Sequence, residues 1–508
     1  MSGVNSYMRA LLLALAAALT MGAAAASAAT PDPAKPLDLS APTGVDLPDM
    51  GSPAETILSK QDEAQLGAMV YKEMRDENAV IDDPEVAEYL QSLGTRLAAQ
   101  SADGARGFHY NAVKDDAINA FAVPGGYIFI NSGLILASNT ESELAGVMGH
   151  ETAHVTQHHI ARFLRKQSQQ SLINAAAMLG AILLAAMSHG SGSGAEGGIA
   201  AAQGMAVQQQ INFTRDNEEE ADRVGIGYMA GAGFDPKGMG DFFETLSRRY
   251  SLGTSWIPPM LLDHPVTTDR IAEARARAAQ MPPSHYKDSL SYQMIKERVR
   301  VLMSKGDVDI EKQYEGRLAQ GERTLGVRYG QALALIADHR PIEAAKILYD
   351  LTQEHPDLTL LYSALGEAES KAGHQNDALS TFKRSMALFP RNVPLTVRYA
   401  QALMAAGNPT EAHRVLLDLF NNVEPTPEQI RLTALAADAA NDKGDAYYYM
   451  AQYQIANGEL MLAVQQYQLA LQSANLSTVQ RQRIRAALDE LRDFLRTTKL
   501  RRVSDNGP

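Results

Sequence analysis

The sequence predicts a mainly α-helical protein, in which a helical domain with a small β-sheet is followed by an all-α repeat solenoid. The one clear β pattern is "FHYNAVKDDAINAFAVPGGYIFINSGL", where "GGYIFI" follows a Pro-Gly-Gly turn signal. Helical patterns surround it, and beyond Gly321 small residues recur at a constant step. With 508 residues, 45% of them hydrophobic, the chain is expected to fold into roughly two to four domains.

The repeat is defined by alanines and glycines that recur 34 residues apart: Ala344, Ala378 and Ala412, with Gly373 and Gly407. "HPDL" and "FPRN" keep the same step, and Gly458 follows one and a half periods after Gly407. A 34-residue helix-turn-helix period is typical of tetratricopeptide repeats. Stacked repeats expose a concave groove, so we expect protein binding there; the alternative is a scaffold that only adds stability.

The N-terminus is expected to direct export. It carries Arg9, an apolar run from Ala10 to Met21, and the small residues Ala26-Ser27-Ala28. This pattern predicts a signal peptide cleaved after Ala28, whereas an uncleaved anchor would need a longer apolar run. The chain contains no cysteine, which excludes disulfides and lipid attachment to a cysteine. A periplasmic protein is the simplest interpretation.

The charge of the chain argues against one class of partner. The net charge is -13, and no basic face is concentrated in the sequence. Because binding to phosphates requires clustered cations, nucleic acid is not an expected partner.

The stretch "ELAGVMGHETAHVTQHH" carries the first candidate site. His150 and His154 are four residues apart and share one face of a helix, so both can point at one ion. Two imidazoles suit zinc, and Glu151 beside them can accept a proton from water that attacks a carbonyl. The alternative is an amphipathic helix whose histidines are solvated or satisfied in a core.

Catalytic zinc usually has three protein ligands, so a third must lie elsewhere. Ile160 and Gln157 stand where a metzincin motif would need histidine and glycine, which excludes that class. Downstream, "NEEEADR" offers Glu218 and Asp222 on one helical face. We expect Glu218 to be the third ligand and Asp222 to accept the outer N–H of a ligand histidine.

A solvated acidic helix face is the alternative to this assignment. Ala221 and Gly225 are small enough to let the acidic helix pack closely against another helix. His158 and His159 are expected to cap or flank the end of the histidine helix, although His158 lies one turn beyond His154 and could crowd the site.

The motifs "NAFAVPGG", "ELAGVMGHETAH", "NEEEADR" and "DHPVTTDR" together resemble those of the M48 zinc metallopeptidases, over residues 57 to about 285. The resemblance implies a gluzincin-type domain with one Zn²⁺ per chain. His150, His154 and Glu218 would be its ligands and Glu151 its catalytic base.

With the signal peptide and the repeats, the resemblance also implies an exported endopeptidase in the quality control and assembly of outer-membrane proteins. Its substrates would be unfolded or misassembled outer-membrane proteins. The outer-membrane barrel assembly machinery would dock on the tetratricopeptide groove.

The predicted organisation has six segments: a signal peptide at 1–28, an extended leader at 29–56, the metallopeptidase domain at 57–287, a helical linker at 288–324, the tetratricopeptide domain at 325–495 and a tail at 496–508.

Three features have more than one interpretation. His264 and Arg270 match the family's His-Pro and Arg pattern. One interpretation is that His264 acts in catalysis by stabilising an oxyanion. The alternatives are that it blocks the open position of zinc in a resting enzyme or that it is a structural residue. "VPGGYIFI" is either a sheet edge that binds an extended substrate or a simple hairpin. The segment Leu172–Met187 is a lid, a membrane-surface contact or a membrane span.

Two other functions compete with the protease. One is a chaperone or assembly adaptor whose repeats dominate and whose protease is latent. The other is an integral membrane protease, which depends on Leu172–Met187. An intact ligand set with Glu151 favours catalysis, because an adaptor does not need the base.

Overall fold

The computed structural model describes residues 60–102, 104–105, 107–160, 162, 215–250, 260, 264–304 and 309–505. The predicted signal peptide, the leader, the segment Leu172–Met187 and most of the loop "GTSWIPPMLLDHP" lie outside these residues. In the part of the chain that is described, none of the helices has both the length and the apolar character needed to cross a membrane.

The first half of the described chain contains eight α-helices and three strands. In chain order they are α1 (Lys60–Asp76), α2 (Pro84–Ala98), β1 (His109–Val113), β2 (Ala120–Val123), β3 (Tyr127–Asn131), α3 (Ser132–Ala137), α4 (Glu141–Thr156), α5 (Arg215–Gly231), α6 (Lys237–Tyr250), α7 (Thr268–Ala279) and α8 (Leu290–Leu302).

The second half is entirely helical where it is described. Its helices are α9 (Ile310–Ala319), α10 (Leu325–Ala337), α11 (Pro341–Glu354), α12 (Thr359–Lys371), α13 (Gln375–Leu388), α14 (Val393–Ala405), α15 (Pro409–Phe420), α16 (Pro427–Ala439), α17 (Lys443–Ala456), α18 (Leu460–Gln472) and α19 (Thr478–Asp505). The predicted fold class, mainly α with a small sheet and a helical solenoid, is confirmed.

The sheet has the strand order β1-β3-β2, with β1 parallel and β2 antiparallel to β3. The expectation that "VPGGYIFI" offers a sheet edge is wrong for β3, which is the central strand. A short 3-10 turn at Pro124–Gly126 joins β2 to β3, so the simple hairpin is the correct interpretation. Gly125 and Gly126 both have φ of 80°, a left-handed conformation that favours glycine.

These glycines admit close backbone approach, but the approaching backbone belongs to this chain. A Cβ on Gly125 would lie 2.5 Å from the carbonyl oxygen of Glu63, and one on Gly126 would lie 2.0 Å from that of Gly107. The turn therefore packs against α1 and the loop before β1.

Helix α4 runs through the core of the first domain. It begins after Thr140, whose side chain accepts a hydrogen bond from the backbone N–H of Glu143, as expected for an N-cap residue. Leu144, Val147 and Met148 join one apolar cluster with residues from the sheet and from helices α2, α5, α6 and α8. Because α4 is packed on all sides, its side chains are held in defined positions.

The solenoid follows the 34-residue period. Ala344, Ala378 and Ala412 are fully buried where paired helices meet. Gly373 and Gly407 follow α12 and α14 with φ of 80° and 75°, as expected for glycines that end a helix. The last helix continues to Asp505 and thus includes most of the segment predicted as a tail.

The two halves meet at a buried ionic network, here called the junction network: Asp83, Glu85, Arg298 and Arg398. Arg298 on α8 donates to both carboxylate oxygens of Asp83, at 2.8 and 2.7 Å. Arg398 on α14 donates to both oxygens of Glu85, at 3.0 and 2.8 Å. Ser363 on α12 also donates to Glu85. The start of α2 is therefore fastened to the solenoid.

A second contact lies at the end of α1. Arg75 lies 2.6 Å from a carboxylate oxygen of Glu428 on α16, and it donates to Asn457 just beyond α17 at 3.1 Å. The solenoid thus contacts both of the first two helices of the first half.

Candidate metal centre

Helices α4 and α5 pack closely enough to bring their polar residues together. A Cβ on Gly225 of α5 would lie 2.9 Å from the backbone nitrogen of His150 and 3.0 Å from the carbonyl oxygen of Gly149. The two helix backbones are therefore almost in contact at this level. Around this contact both helices are rich in small residues. The polar side chains beside the contact face one another.

Four side chains, here called the metal cluster, offer ligand atoms that all lie within 4.8 Å of one another: His150, His154, Glu218 and His264. The Nε2 atoms of His150 and His154 are 2.9 Å apart. Carboxylate oxygens of Glu218 lie 3.6 Å from the first of these nitrogens and 3.4 Å from the second. All four residues are buried.

His264 comes from the segment before α7 and completes the group. Its Nδ1 lies 2.9 and 3.0 Å from the two oxygens of Glu218 and 3.4 Å from Nε2 of His150. Its Nε2 lies 3.8 Å from a carboxylate oxygen of Glu151. His264 therefore stands between Glu218 and Glu151, which is almost fully buried at 1% exposure.

Asp222 and Arg270 hold the cluster from outside. Asp222 lies 2.8 Å from Nδ1 of His150, and it accepts two hydrogen bonds of 2.8 Å from Arg270. Arg270 also lies 2.9 Å from Glu218 and donates to the carbonyl oxygen of Pro265. One guanidinium thus ties together two carboxylates of α5 and the segment that carries His264.

His159 has a larger part in this site than the sequence suggested. Helix α4 ends at Thr156, and the chain turns at His158 with φ of 53°. The turn brings the buried ring of His159 to 2.8 Å from Nδ1 of His154, while its other nitrogen lies 3.2 Å from Glu220. His159 orients His154 much as Asp222 orients His150. Adjacent histidines were the only sequence signal for this contact.

The pKa values follow from burial and from these contacts. Burial lowers the pKa of His154 well below its ordinary value, and the neighbouring histidines lower it further. Burial alone would raise the pKa of Glu218, but His264, His150 and Arg270 hold it below its ordinary value. For Asp222, hydrogen bonds from His150 and Arg270 outweigh burial and lower the pKa to about 2. The carboxylates are therefore ionised and the His154 ring is neutral at neutral pH.

The geometry suits a small cation. Neutral imidazole nitrogens and carboxylate oxygens are zinc ligands at about 2.0–2.2 Å, which places two ligand atoms of a tetrahedral ion roughly 3.4 Å apart. The separations of 2.9, 3.4 and 3.6 Å among His150, His154 and Glu218 are close to that value. With Asp222 accepting from Nδ1 of His150, the Nε2 lone pair of that ring faces the centre.

Two regions of the chain match known protein families. Residues 84–278 match the model of peptidase family M48, and residues 369–435 match a tetratricopeptide repeat model. The fold and the site thus define a metallopeptidase of family M48 with a tetratricopeptide solenoid.

Several relatives extend over most of the chain. The beta-barrel assembly-enhancing protease of Escherichia coli (strain K12) is 33% identical over 88% of this chain and 91% of its own length. A Vibrio cholerae relative with the corresponding name is 34% identical over 88% of this chain and 92% of its own. The chain belongs to the family of beta-barrel assembly-enhancing proteases.

More distant similarities are partial. The mitochondrial metalloendopeptidase OMA1 of Arabidopsis thaliana is 26% identical over 37% of this chain and 35% of its own length. The match to a solved structure of the APC/C hetero-tetramer Cut9-Hcn1 covers 65% of this chain and 76% of that chain at 13% identity, with a TM-score of 0.26.

The predicted family and enzyme class are confirmed by these comparisons, and a metal is implied by the family. The individual roles of His150, Glu151, His154, Glu218, Asp222 and His264 stay predictions, as do the domain boundaries. The structure brings all six residues together within or directly beside the metal cluster.

Proposed function

We propose that this protein is an exported zinc endopeptidase that cleaves misassembled or unfolded outer-membrane proteins in the periplasm. The observation that carries the proposal is the convergence of His150, His154 and Glu218, with the carboxylate of Glu151 beside them. Two imidazoles and one carboxylate are a common ligand set for catalytic zinc. Zinc is therefore the ion that we assign to the site, one per chain.

In this mechanism the protein residues divide the work. When bound, zinc supplies Lewis acidity that polarises the scissile carbonyl and makes the attacking water more acidic. Glu151 accepts the proton of that water and later delivers it to the leaving amine. Asp222 and His159 hold the rings of His150 and His154 in the tautomers that leave Nε2 available.

His264 is best explained as a restraint on the resting enzyme. Its Nδ1 is within 3.4 Å of His150 and within 3.0 Å of Glu218, a position from which it would serve as a fourth ligand. A fourth protein ligand would leave no open position for the attacking water. The enzyme would then be latent until a substrate or partner moves the segment around Pro265.

Location and partners are proposed on three grounds. The N-terminal pattern that ends at Ala28 supports export, and the names of the relatives place those proteins in β-barrel assembly. Tetratricopeptide solenoids bind proteins through their concave face. We therefore assign the solenoid groove to the outer-membrane barrel assembly machinery, with outer-membrane proteins as substrates.

The alternative function is that of a chaperone or assembly adaptor whose protease is latent. The position of His264 within the cluster favours latency. The two functions are separated by whether the metal site turns over a substrate at all.

The test is metal content measured together with cleavage of casein. Glu151→Gln is nearly isosteric but cannot act as a base, so it should keep zinc and lower turnover by at least about a hundredfold. Glu273→Gln is the matched control, because Glu273 pairs with Arg277 on the exposed side of α7; its turnover should equal wild type.

Unchanged turnover in Glu151→Gln would refute the mechanism. A wild-type protein that binds stoichiometric zinc and never cleaves casein or an unfolded outer-membrane protein would favour the adaptor.

A further inference from the structure

A second group of ligand-type residues lies in the solenoid, far in sequence from the metal cluster. It consists of His413 on α15, with Asp442 and Asp445 at the start of α17. One ligand atom from each residue lies within 4.8 Å of the others. Nε2 of His413 is 3.5 Å from Oδ2 of Asp445, close to the roughly 3.4 Å that separates two ligands of one tetrahedral ion.

The histidine is an independent sign of a ligand. His413 is only 8% exposed, and its Nε2 is shielded from solvent. Among the described residues this nitrogen makes no hydrogen bond, although it faces Oδ2 of Asp445. Buried polar atoms are almost always satisfied, so an unsatisfied nitrogen directed at a carboxylate needs an explanation. A cation between the two atoms provides one.

Neighbouring side chains hold the two carboxylates. Oδ1 of Asp445 accepts hydrogen bonds from Gln480 at 2.9 Å and from Arg483, which leaves Oδ2 directed at His413. Gln480 also donates to both oxygens of Asp442, at 3.2 and 3.0 Å. Such outer contacts orient metal ligands in known sites.

The charge balance allows a cation. Arg483 is the cation that the described structure places on Asp445, while Lys443 pairs instead with Asp438. Within the described residues the two carboxylates thus have one guanidinium beside them, that of Arg483 on Asp445, and a negative charge is left over at a partly buried position. A divalent ion that binds a neutral imidazole and two carboxylates would compensate for it.

We propose that His413, Asp442 and Asp445 form a second divalent-cation site, for which zinc is the best match. The ion would connect the second helix of one repeat, α15, to the second helix of the next, α17. Because each repeat of a solenoid contacts mainly its neighbours, this link would set the angle between two repeats and so the curvature of the groove. The inference does not depend on the proposed proteolytic mechanism.

The experiment measures zinc bound per full-length chain after dialysis against buffered Zn²⁺. Wild type should bind one equivalent more than His413→Gln. His374→Gln is the matched control, because it makes the same change at an exposed histidine that is 3.9 Å from Asp377; it should bind as much zinc as wild type. Glu218→Gln should lose a different equivalent, which separates this site from the metal cluster.

Stability provides a second measurement. Added Zn²⁺ should raise the unfolding temperature of Glu218→Gln but not that of the double variant Glu218→Gln/His413→Gln. Asp442→Asn is the further test if His413→Gln fails to fold, because asparagine keeps the N-cap of α17 and removes the charge. Equal zinc content in wild type and in a folded His413→Gln or Asp442→Asn protein would overturn the proposal.

Discussion

The metal cluster and the junction network both bury carboxylates, but they balance the charge differently. In the junction network, Asp83 and Glu85 face two guanidinium groups, those of Arg298 and Arg398. At the metal cluster, Glu218 and Asp222 both pair with the guanidinium of Arg270. The histidines there present ring nitrogens to a common centre.

The difference shows which of the two sites is complete without a ligand. Burying charge is costly unless the charge is paired and hydrogen-bonded. The carboxylates of the junction network are paired within the chain. At Glu85, Arg298 and Arg398 outweigh burial and lower the pKa. At Asp83, burial outweighs its arginine partners and raises the pKa. At the metal cluster two carboxylates share one guanidinium, and the metal that the family implies would supply further positive charge there. The junction network therefore connects parts of the fold, whereas the metal cluster is the site to which we assign the chemistry.

The largest expected effect comes from removing a proposed ligand. Glu218→Gln should weaken zinc binding by at least roughly a hundredfold and abolish proteolysis, because two ligands hold catalytic zinc poorly. Metal analysis and a chelator titration measure this. Glu219→Gln, at the neighbouring position paired with Arg215 on the surface, should behave as wild type. A Glu218→Gln protein that binds as many equivalents of zinc as wild type, with the same affinities, would remove Glu218 from the ligand set.

The next effect concerns the junction network. Arg298→Met leaves Asp83 without its main partner and should reduce stability by about 3–5 kcal/mol, the usual cost of breaking a buried ion pair. Arg328→Met, which breaks a more exposed pair with Glu354, should cost about 1 kcal/mol or less. Denaturant unfolding compares the two variants. Similar losses would mean that the junction network is no more important than a surface pair.

A smaller effect is expected for the residue that orients His150. Asp222→Asn keeps the shape but weakens the hold on the ring, and it should reduce zinc affinity about 10–100-fold. Competition with a chromophoric chelator gives the affinity. Asp269→Asn changes an exposed carboxylate of α7 and is the control. An affinity equal to wild type would make the contact between Asp222 and His150 irrelevant to the metal.

The smallest change in proteolytic activity is expected for substitution of His264, and the direction of that change distinguishes two roles for the residue. If it blocks the open position, His264→Ala should raise basal casein cleavage a few-fold, because water gains access. If it stabilises an oxyanion, activity should instead fall by roughly a hundredfold. Initial rates at equal zinc loading distinguish the two. A rate within error of wild type would leave His264 a structural residue.

Local patterns in the sequence were enough to predict several features. A spacing of four places His150 with His154, and Glu218 with Asp222, on single helix faces, because 3.6 residues make one turn. The recurrence of Ala344, Ala378 and Ala412 predicted stacked helix pairs, because small residues are needed where helices pack closely. These features depend on helix geometry, which neighbours in the sequence determine.

Other features depend on how distant elements pack, and only the tertiary structure decided them. His264 reaches His150 across 114 positions, and Arg270 joins Asp222 to the segment beside it. β3 is the centre of its sheet and not an edge, because β1 pairs directly with it in parallel although β2 lies between them in the sequence. The junction network, which ties α2 to α14, has no local pattern that predicts it, because its ion pairs join residues 215 and 313 positions apart. The spacing of residues along the chain determines which helix face a side chain occupies, whereas the packing of helices determines what that face meets.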